Sequence, residues 1–408
     1  MTNVRVTVPA TSANLGPGLG SIALALGLYN VVELSEIEQG LSFELYGEGA
    51  DTLPQDPSNK VLRAATLVFR HTGCTPSGLH IRLKTSIPPQ SGLGSSAAAV
   101  LGGAIAANVL LGSPLNRDQV LRIAVELDGR PDAVSAALMG GLVVSSHAGG
   151  ELIYTNVPIA PMQVVVVLPD VERTKQLDAL PETVALSDAI YNIGRTALML
   201  QALTAGDFDL LAHAVRDRLH EPVHRPLIPG CSQALDAARR HGAAAVAISG
   251  SGPALIVFTE ADHEQIAHAM SRAFRLATGR PARSWILPLD TQGISISELG
   301  LSLRREFPSP VPASAHPAPP VSESSMLPRG ECDSENAATT STMLPVLNSV
   351  PQLPVDSRHR LSAEGPPDTP PSDLKASQSE LPASLASALQ NGKSLSAGER
   401  INGNQRDG

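Results

Sequence analysis

The run Pro88-Pro-Gln-Ser-Gly-Leu-Gly-Ser-Ser-Ala-Ala98 constrains this chain more than any other feature. A strand-like alternation, Leu79–Leu83, precedes it. An Ala-rich stretch with few breakers, Ser95–Leu111, follows it and reads as a buried helix. Gly92 and Gly94 permit backbone angles that bring N–H groups close to a ligand. Ser95 and Ser96 stand at the helix start, where unpaired amides and the helix dipole favour an anion. The loop has no lysine, unlike the GxxxxGK[ST] pattern. A phosphate there would be held by backbone amides, with a serine hydroxyl available to Mg²⁺. Taken alone, the run reads more readily as a serine-capped turn before a core helix, so a phosphate site needs further context.

The rest of the first 300 residues alternates strand and helix patterns. Val4–Val8, Val31–Leu34, Leu41–Tyr46, Gly141–Ser146, Gln163–Leu168, Ala243–Ile248 and Ala254–Thr259 read as strands. Asn59–Thr72, Leu115–Leu127, Asp188–Ala205, Phe208–Leu219 and Glu264–Ala277 read as helices. The mixture predicts an α+β fold with a boundary near residue 155: an N-terminal domain over 1–155 and a C-terminal one over 156–305. Composition then changes. Every Trp, Tyr and Phe lies at or before Phe307, and Pro308–Gly408 holds 15 Pro and 17 Ser. Such a segment cannot bury enough apolar surface to offset its ordering entropy, so 306–408 is expected to be disordered.

A net charge of −9 gives no general attraction to nucleic acid or anionic membrane. Cys74, Cys231 and Cys332 are odd in number and far apart, which fits free thiols rather than a disulfide framework or zinc site. No apolar stretch reaches a membrane span, and no signal peptide is visible. The expectation is a cytoplasmic protein with a small-molecule substrate, no nucleic-acid or membrane partner, and a homodimer as a possible assembly.

Two further glycine-rich segments flank the central one in sequence. Pro9–Ser21 reads PATSANLGPGLGS, and Ala247–Ala254 reads AISGSGPA. Gly16, Gly18 and Gly20 invite a dinucleotide-binding reading, but that fingerprint places its glycines directly after the first strand, and here PATSANL intervenes. Together and in this order the three segments resemble the galactokinase, homoserine kinase, mevalonate kinase and phosphomevalonate kinase superfamily (GHMP kinases), with the homoserine kinase branch the best match. Pro131-Asp132 followed by LMGG, YNIGRTAL at 191–198 and HEPVHRPLIPG at 220–230 extend the match over about residues 3–300.

The resemblance implies a two-domain fold, with an N-terminal domain like ribosomal protein S5 domain 2 and a ferredoxin-like C-terminal domain. It implies ATP and Mg²⁺ as cofactors. ATP would lie against Pro88, Pro89, Gln90, Ser91, Gly92, Leu93, Gly94, Ser95, Ser96, Ala97 and Ala98, with Asn59 near the adenine and Ser249, Gly250 and Gly252 lining the site. Ser96 and Glu126 match the family's Mg²⁺ positions, an oxygen-only pair suited to a hard cation. Asn14, Asp132 and Arg225 match its substrate positions. Asp132 could pair with a substrate ammonium and Arg225 with a carboxylate. As bland alternatives, Glu126 could be a solvated helix face, Ser96 a cap, and Asp132 and Arg225 surface ion pairs.

The acceptor side departs from the family pattern. Gly20 stands where an aspartate contacts substrate, Arg130 and Ala133 replace the histidine and asparagine of HPDN, and Leu177 falls where an arginine is usual. Three readings stay open: a diverged homoserine kinase, a kinase of another small alcohol, and a non-catalytic ATP-binding regulator.

Overall fold

The computed structural model describes residues 3–299; the Pro/Ser-rich stretch 306–408, expected to be disordered, lies outside the described residues. In chain order the first half runs β1 (Asn3–Ser12), β2 (Ile22–Ile37), β3 (Gly40–Gly47), α1 (Lys60–Thr72), β4 (Gly78–Thr85), α2 (Ser95–Leu110), α3 (Arg117–Asp128), α4 (Pro131–Met139), β5 (Leu142–Ala148) and β6 (Glu151–Val157). The second runs β7 (Gln163–Pro169), a 3₁₀ turn at Lys175–Asp178, α5 (Leu186–Ala205), α6 (Phe208–Ala214), α7 (Glu221–His224), α8 (Cys231–Arg240), β8 (Ala245–Ile248), β9 (Leu255–Phe258), α9 (His263–Thr278), β10 (Ala282–Pro288) and β11 (Ser295–Leu299). The fold is α+β.

Strands β11-β1-β2-β4-β3 form one path of the larger sheet, and β5 joins β2 to β6. Only the β3–β4 pair is parallel, with α1 as its crossover. Val4, Val6 and Val8 of β1 are fully buried and alternate with half-buried Arg5 and Thr7, the period-2 pattern of a sheet with one covered face. That cover is α2, which is apolar all round and buries twelve of its sixteen residues. Leu101 lies fully buried along it, and truncation to Ala there costs about 2–5 kcal/mol.

The second sheet, β10-β7-β9-β8, is antiparallel throughout. The run QVVVVLP of β7 is continuously apolar because both faces are covered. Val164 and Val166 enter the large core, while Val165 and Val167 enter a smaller core under α8 and α9.

The expected break at 155 falls inside β6, which belongs to the first sheet, and β11 returns from beyond 290 to pair with β1. The large core also takes residues from both sides of that position. Helix α6 stops at Ala214, short of the expected Leu219. The Asp217 carboxylate accepts the backbone N–H groups of Leu219, His220 and Glu221 and turns the chain there. Among the described residues, no helix is long and apolar enough to cross a membrane.

Candidate active site

Three glycine segments separated by some 75 and 155 residues in sequence are hydrogen-bonded to one another. The Thr11 N–H donates to Leu93 O (3.1 Å), Gly250 N–H to Ala13 O (2.8 Å) and Ala254 N–H to Ser91 O (3.0 Å). The Ser249 hydroxyl donates to Gly92 O (3.0 Å). An added Cβ at Gly92 would overlap the Ser249 carbonyl, so this meeting requires glycine. Ser91 closes its own turn by donating to Pro88 O (2.7 Å). Of the four non-glycine residues with positive φ among those described, Asn14 (52°) and Gln90 (57°) lie in these segments. Strain gathered at one place in this way is characteristic of ligand sites.

The segments divide the work. Leu93, Ala97 and Ala98 turn their side chains into the core, so they shape the loop and offer only backbone. Ser249, Gly250 and Gly252 spend their polar groups on the loop's backbone and their own turn, which makes the third segment a clamp behind the cradle. At the front, the first-turn amides of Ser95, Ser96 and Ala97 have no carbonyl one turn earlier within α2, and they project from a helix N-terminus.

The charged groups at that front correct one expectation. Ser96 Oγ meets Asp128 Oδ1, not Glu126, and Lys60 Nζ meets the same hydroxyl. Asp128 is buried at the end of α3 and takes Arg130 Nε (3.1 Å) and Nη2 (3.2 Å). Glu126 is exposed and lies about 200° around the helix from Asp128 at 3.6 residues per turn. The sequence held a usable signal. Leu121, Ala124 and Val125 are buried, and Asp128 continues that face at i+7, i+4 and i+3, whereas Glu126 falls off it. Asn59 is also reassigned. It is buried, its Oδ1 caps α1 by accepting from Val61 N (2.9 Å), and its Nδ2 donates to Pro54 O (2.7 Å). Its role is to start the helix whose first residue, Lys60, reaches Ser96.

On the other side of the cradle, the structure brings Asn14 and Asp132 together. The Asn14 N–H donates to Asp132 Oδ2 (3.1 Å), and Asn14 Oδ1 accepts from Gly20 N (2.8 Å), closing the 14–20 loop. Asp132, in the first turn of α4, is buried. That burial pushes its carboxyl above the usual carboxylate range, against the amides of Asn14 and Ala133 and the Arg130 charge. Arg225 does not meet Asp132: its Nε donates to Ser232 Oγ (3.1 Å), and its charge acts on Glu221 and Cys231. Leu177 is a buried member of the smaller core. The C-terminal half holds the 14–20 loop through Asn192 and Thr196 of α5, both of which donate to Pro17 O (3.2 and 3.1 Å). Asn192 is fixed in turn by Asp217 (2.6 Å) and by Arg218 N (3.0 Å). A groove of about 1050 Å³ between α8, α9 and β10 contains none of these residues.

This arrangement of three clamped glycine segments, an exposed helix N-terminus and a serine–carboxylate pair is matched by known proteins. The description "GHMP kinases N terminal domain" fits residues 59–141, and "GHMP kinases C terminal" fits 199–276. Homoserine kinase of Carboxydothermus hydrogenoformans is 39% identical over 273 residues, 66% of this chain and 90% of that protein. The chain belongs to the homoserine kinase family of GHMP kinases. Homoserine kinase of Symbiobacterium thermophilum is 43% identical over 306 residues, 72% of this chain and 94% of that one. The crystal structure of homoserine kinase from Cytophaga hutchinsonii superposes with a TM-score of 0.64 at 26% identity, covering 72% of this chain and 97% of that one. As a GHMP kinase, the chain is an ATP-dependent enzyme that phosphorylates an alcohol, and its N- and C-terminal family regions carry the cradle and the clamp respectively.

Proposed function

We propose that this enzyme transfers the ATP γ-phosphate to the hydroxyl of L-homoserine, giving O-phospho-L-homoserine, with Mg²⁺ held by Ser96 and Asp128. The observation that carries the acceptor is the match to homoserine kinases over nine-tenths or more of their length. The metal assignment rests on the donor set: a hydroxyl and a buried carboxylate, both oxygen, at the mouth of an amide cradle suit a hard cation that also keeps phosphate and water ligands. Bound Mg²⁺ supplies charge neutralisation to the phosphates. Phosphoryl transfer needs alignment and charge stabilisation more than covalent help. The amides of Ser95, Ser96 and Ala97 bind phosphate oxygens, and Lys60 adds a mobile positive charge beside them. Asn14 and Asp132 form the acceptor wall, with the Asp132 carboxylate offered to the substrate ammonium. Arg225, on the C-terminal side, is the candidate for the substrate carboxylate.

A second reading keeps the ATP site and changes the acceptor to another small hydroxy compound. It is favoured by one observation: Gly20 presents only backbone to the loop where the family places a carboxylate. A coupled ADP-release assay over L-homoserine, other hydroxy-amino acids and small alcohols decides between them. Highest kcat/KM on L-homoserine supports the first reading; faster turnover of any other alcohol replaces it with the second. The proposal includes a cytoplasmic setting, supported by free Cys74 and Cys231, and assembly as a homodimer.

A further inference from the structure

Of the ten large apolar side chains exposed among the described residues, six lie between Leu180 and Leu198. Four of these are on α5: Leu186 (76% exposed), Ile190 (60%), Ile193 (71%) and Leu198 (43%). With Gly194 and Ala197 they make one outward stripe at i, i+4, i+7 and i+11. Every exposed position of α5 is uncharged. Its two charged residues are turned toward the body: Asp188 pairs with Arg218 (3.2 Å), and Arg195 Nη1 donates to His213 O (2.7 Å). A surface helix ordinarily shows the reverse pattern, with charge outward and apolar residues inward. A continuous apolar patch of this kind marks an interaction surface.

We infer that α5 is the seam of a two-fold homodimer. The stripe is complementary to itself. In an antiparallel pairing centred between Ile193 and Gly194, Ile190 lies over the partner's Ala197 and Ile193 over the partner's Gly194. Bulky residues thus meet small ones, and the opposed helix dipoles attract. Each copy carries a net charge of −9, so two copies repel everywhere except at a face free of carboxylates, and this face is one. Area sets the extent. A helix of twenty residues is about 30 Å long and about 10–12 Å wide, so its face supplies roughly 300–360 Å², against about 800 Å² per partner in a standard interface. The neighbouring segment 180–186, with exposed Leu180 and Val184, therefore joins the seam. The inward face of the same helix holds Pro17 O through Asn192 and Thr196, so the seam braces the acceptor loop of both subunits.

Sedimentation of the full chain tests this, independently of which alcohol is phosphorylated. The wild type should sediment at about twice the 42.4 kDa of one chain. Ile190→Asp with Ile193→Asp should sediment at one chain mass with unchanged circular dichroism, while Leu276→Asp on exposed α9 keeps the dimer. Should the double variant not fold, Ile193→Cys in a Cys74→Ser, Cys332→Ser background is oxidised instead, and a disulfide-linked dimer is expected. A wild type at one chain mass overturns the inference, including the case in which the stripe is protected from hydrogen exchange by the chain's own residues beyond 299. A dimer that survives the double substitution, or no cross-link at position 193, overturns it as well.

Discussion

Replacing Asp128 by Asn removes one charge and little shape, and the structure sets the size of the effect. The carboxylate is buried, touches Ser96 Oγ and pairs with Arg130. An amide oxygen can still accept from the serine, and Arg130 is 37% exposed, so the lost ion pair costs the fold about 1 kcal/mol or less. The metal effect is larger. At an effective dielectric near 20, a unit charge about 4 Å from a cation contributes about 4 kcal/mol, which is about three decades in rate if it is felt mainly in the transition state. Asp128→Asn should therefore lower kcat by about two to three decades and raise the Mg²⁺ requirement, with near-native circular dichroism. Glu126→Gln, exposed on the opposite side of α3, should stay within about two-fold of wild type, since surface changes away from such features are nearly neutral. Steady-state kinetics over a Mg²⁺ titration measures both. Equal losses in the two variants, or an Asp128→Asn enzyme within ten-fold of wild type at saturating Mg²⁺, would refute the assignment of the metal to this carboxylate.

Three further outcomes are expected. Lys60→Met should raise KM for ATP by about five-fold at most with kcat little changed, because the exposed ammonium contributes about 0.2–1 kcal/mol; an unchanged KM would remove Lys60 from the phosphate site. Gly20 has φ +67° and open space where a Cβ would go, so Gly20→Asp should fold with a stability loss of about 1 kcal/mol from the left-handed backbone. It should also raise kcat/KM for L-homoserine, and a folded variant without that gain would point to another acceptor. Burial, and next the Asp217 charge, push the Glu221 carboxyl up to about 7. A raised acid favours the fold below its unfolded pKa and loses that contribution as pH rises from about 4.5 through 7, so Glu221→Gln should gain stability relative to wild type across that window in urea titrations. Buried His220, pushed down to about 4, acts in the opposite sense between about 4 and 6.5, so wild-type stability should be flatter than that of the variant there. A difference between the two proteins that is independent of pH would refute the Glu221 shift.

The cradle was readable from sequence because its geometry leaves few choices. Where backbone crowds backbone, as at Gly92 against Ser249, only glycine serves, and three such runs in fixed order leave a trace. Long periodic elements such as α2 and β7 were equally visible. Short elements were not. Helix α4 opens on Pro131-Asp132, which reads as a motif and not as a helix start; α8 has ten residues and β11 only five. At the site, the Ser96 partner was missed because carboxylates two residues apart look alike until the helix phase is counted. The brace from Asn192 and Asp217 to Pro17 joins positions some 175 and 200 residues apart, and no local pattern reports such a contact.

The pairing of β11 with β1 has a consequence for how the enzyme is made. Residues 3–7 leave the ribosome first, yet the strand that covers their outer edge, 295–299, is among the last of the kinase body to be synthesised. At about 5–20 residues per second, roughly 15–60 s separate the two. During that interval β1 presents a row of open N–H and C=O groups carried by an alternating valine strand, the kind of edge that recruits other strands. A nascent chain of this enzyme therefore stays adhesive along one margin until its final strand docks, and slow translation of the last third should lower soluble yield more than slow translation of the first.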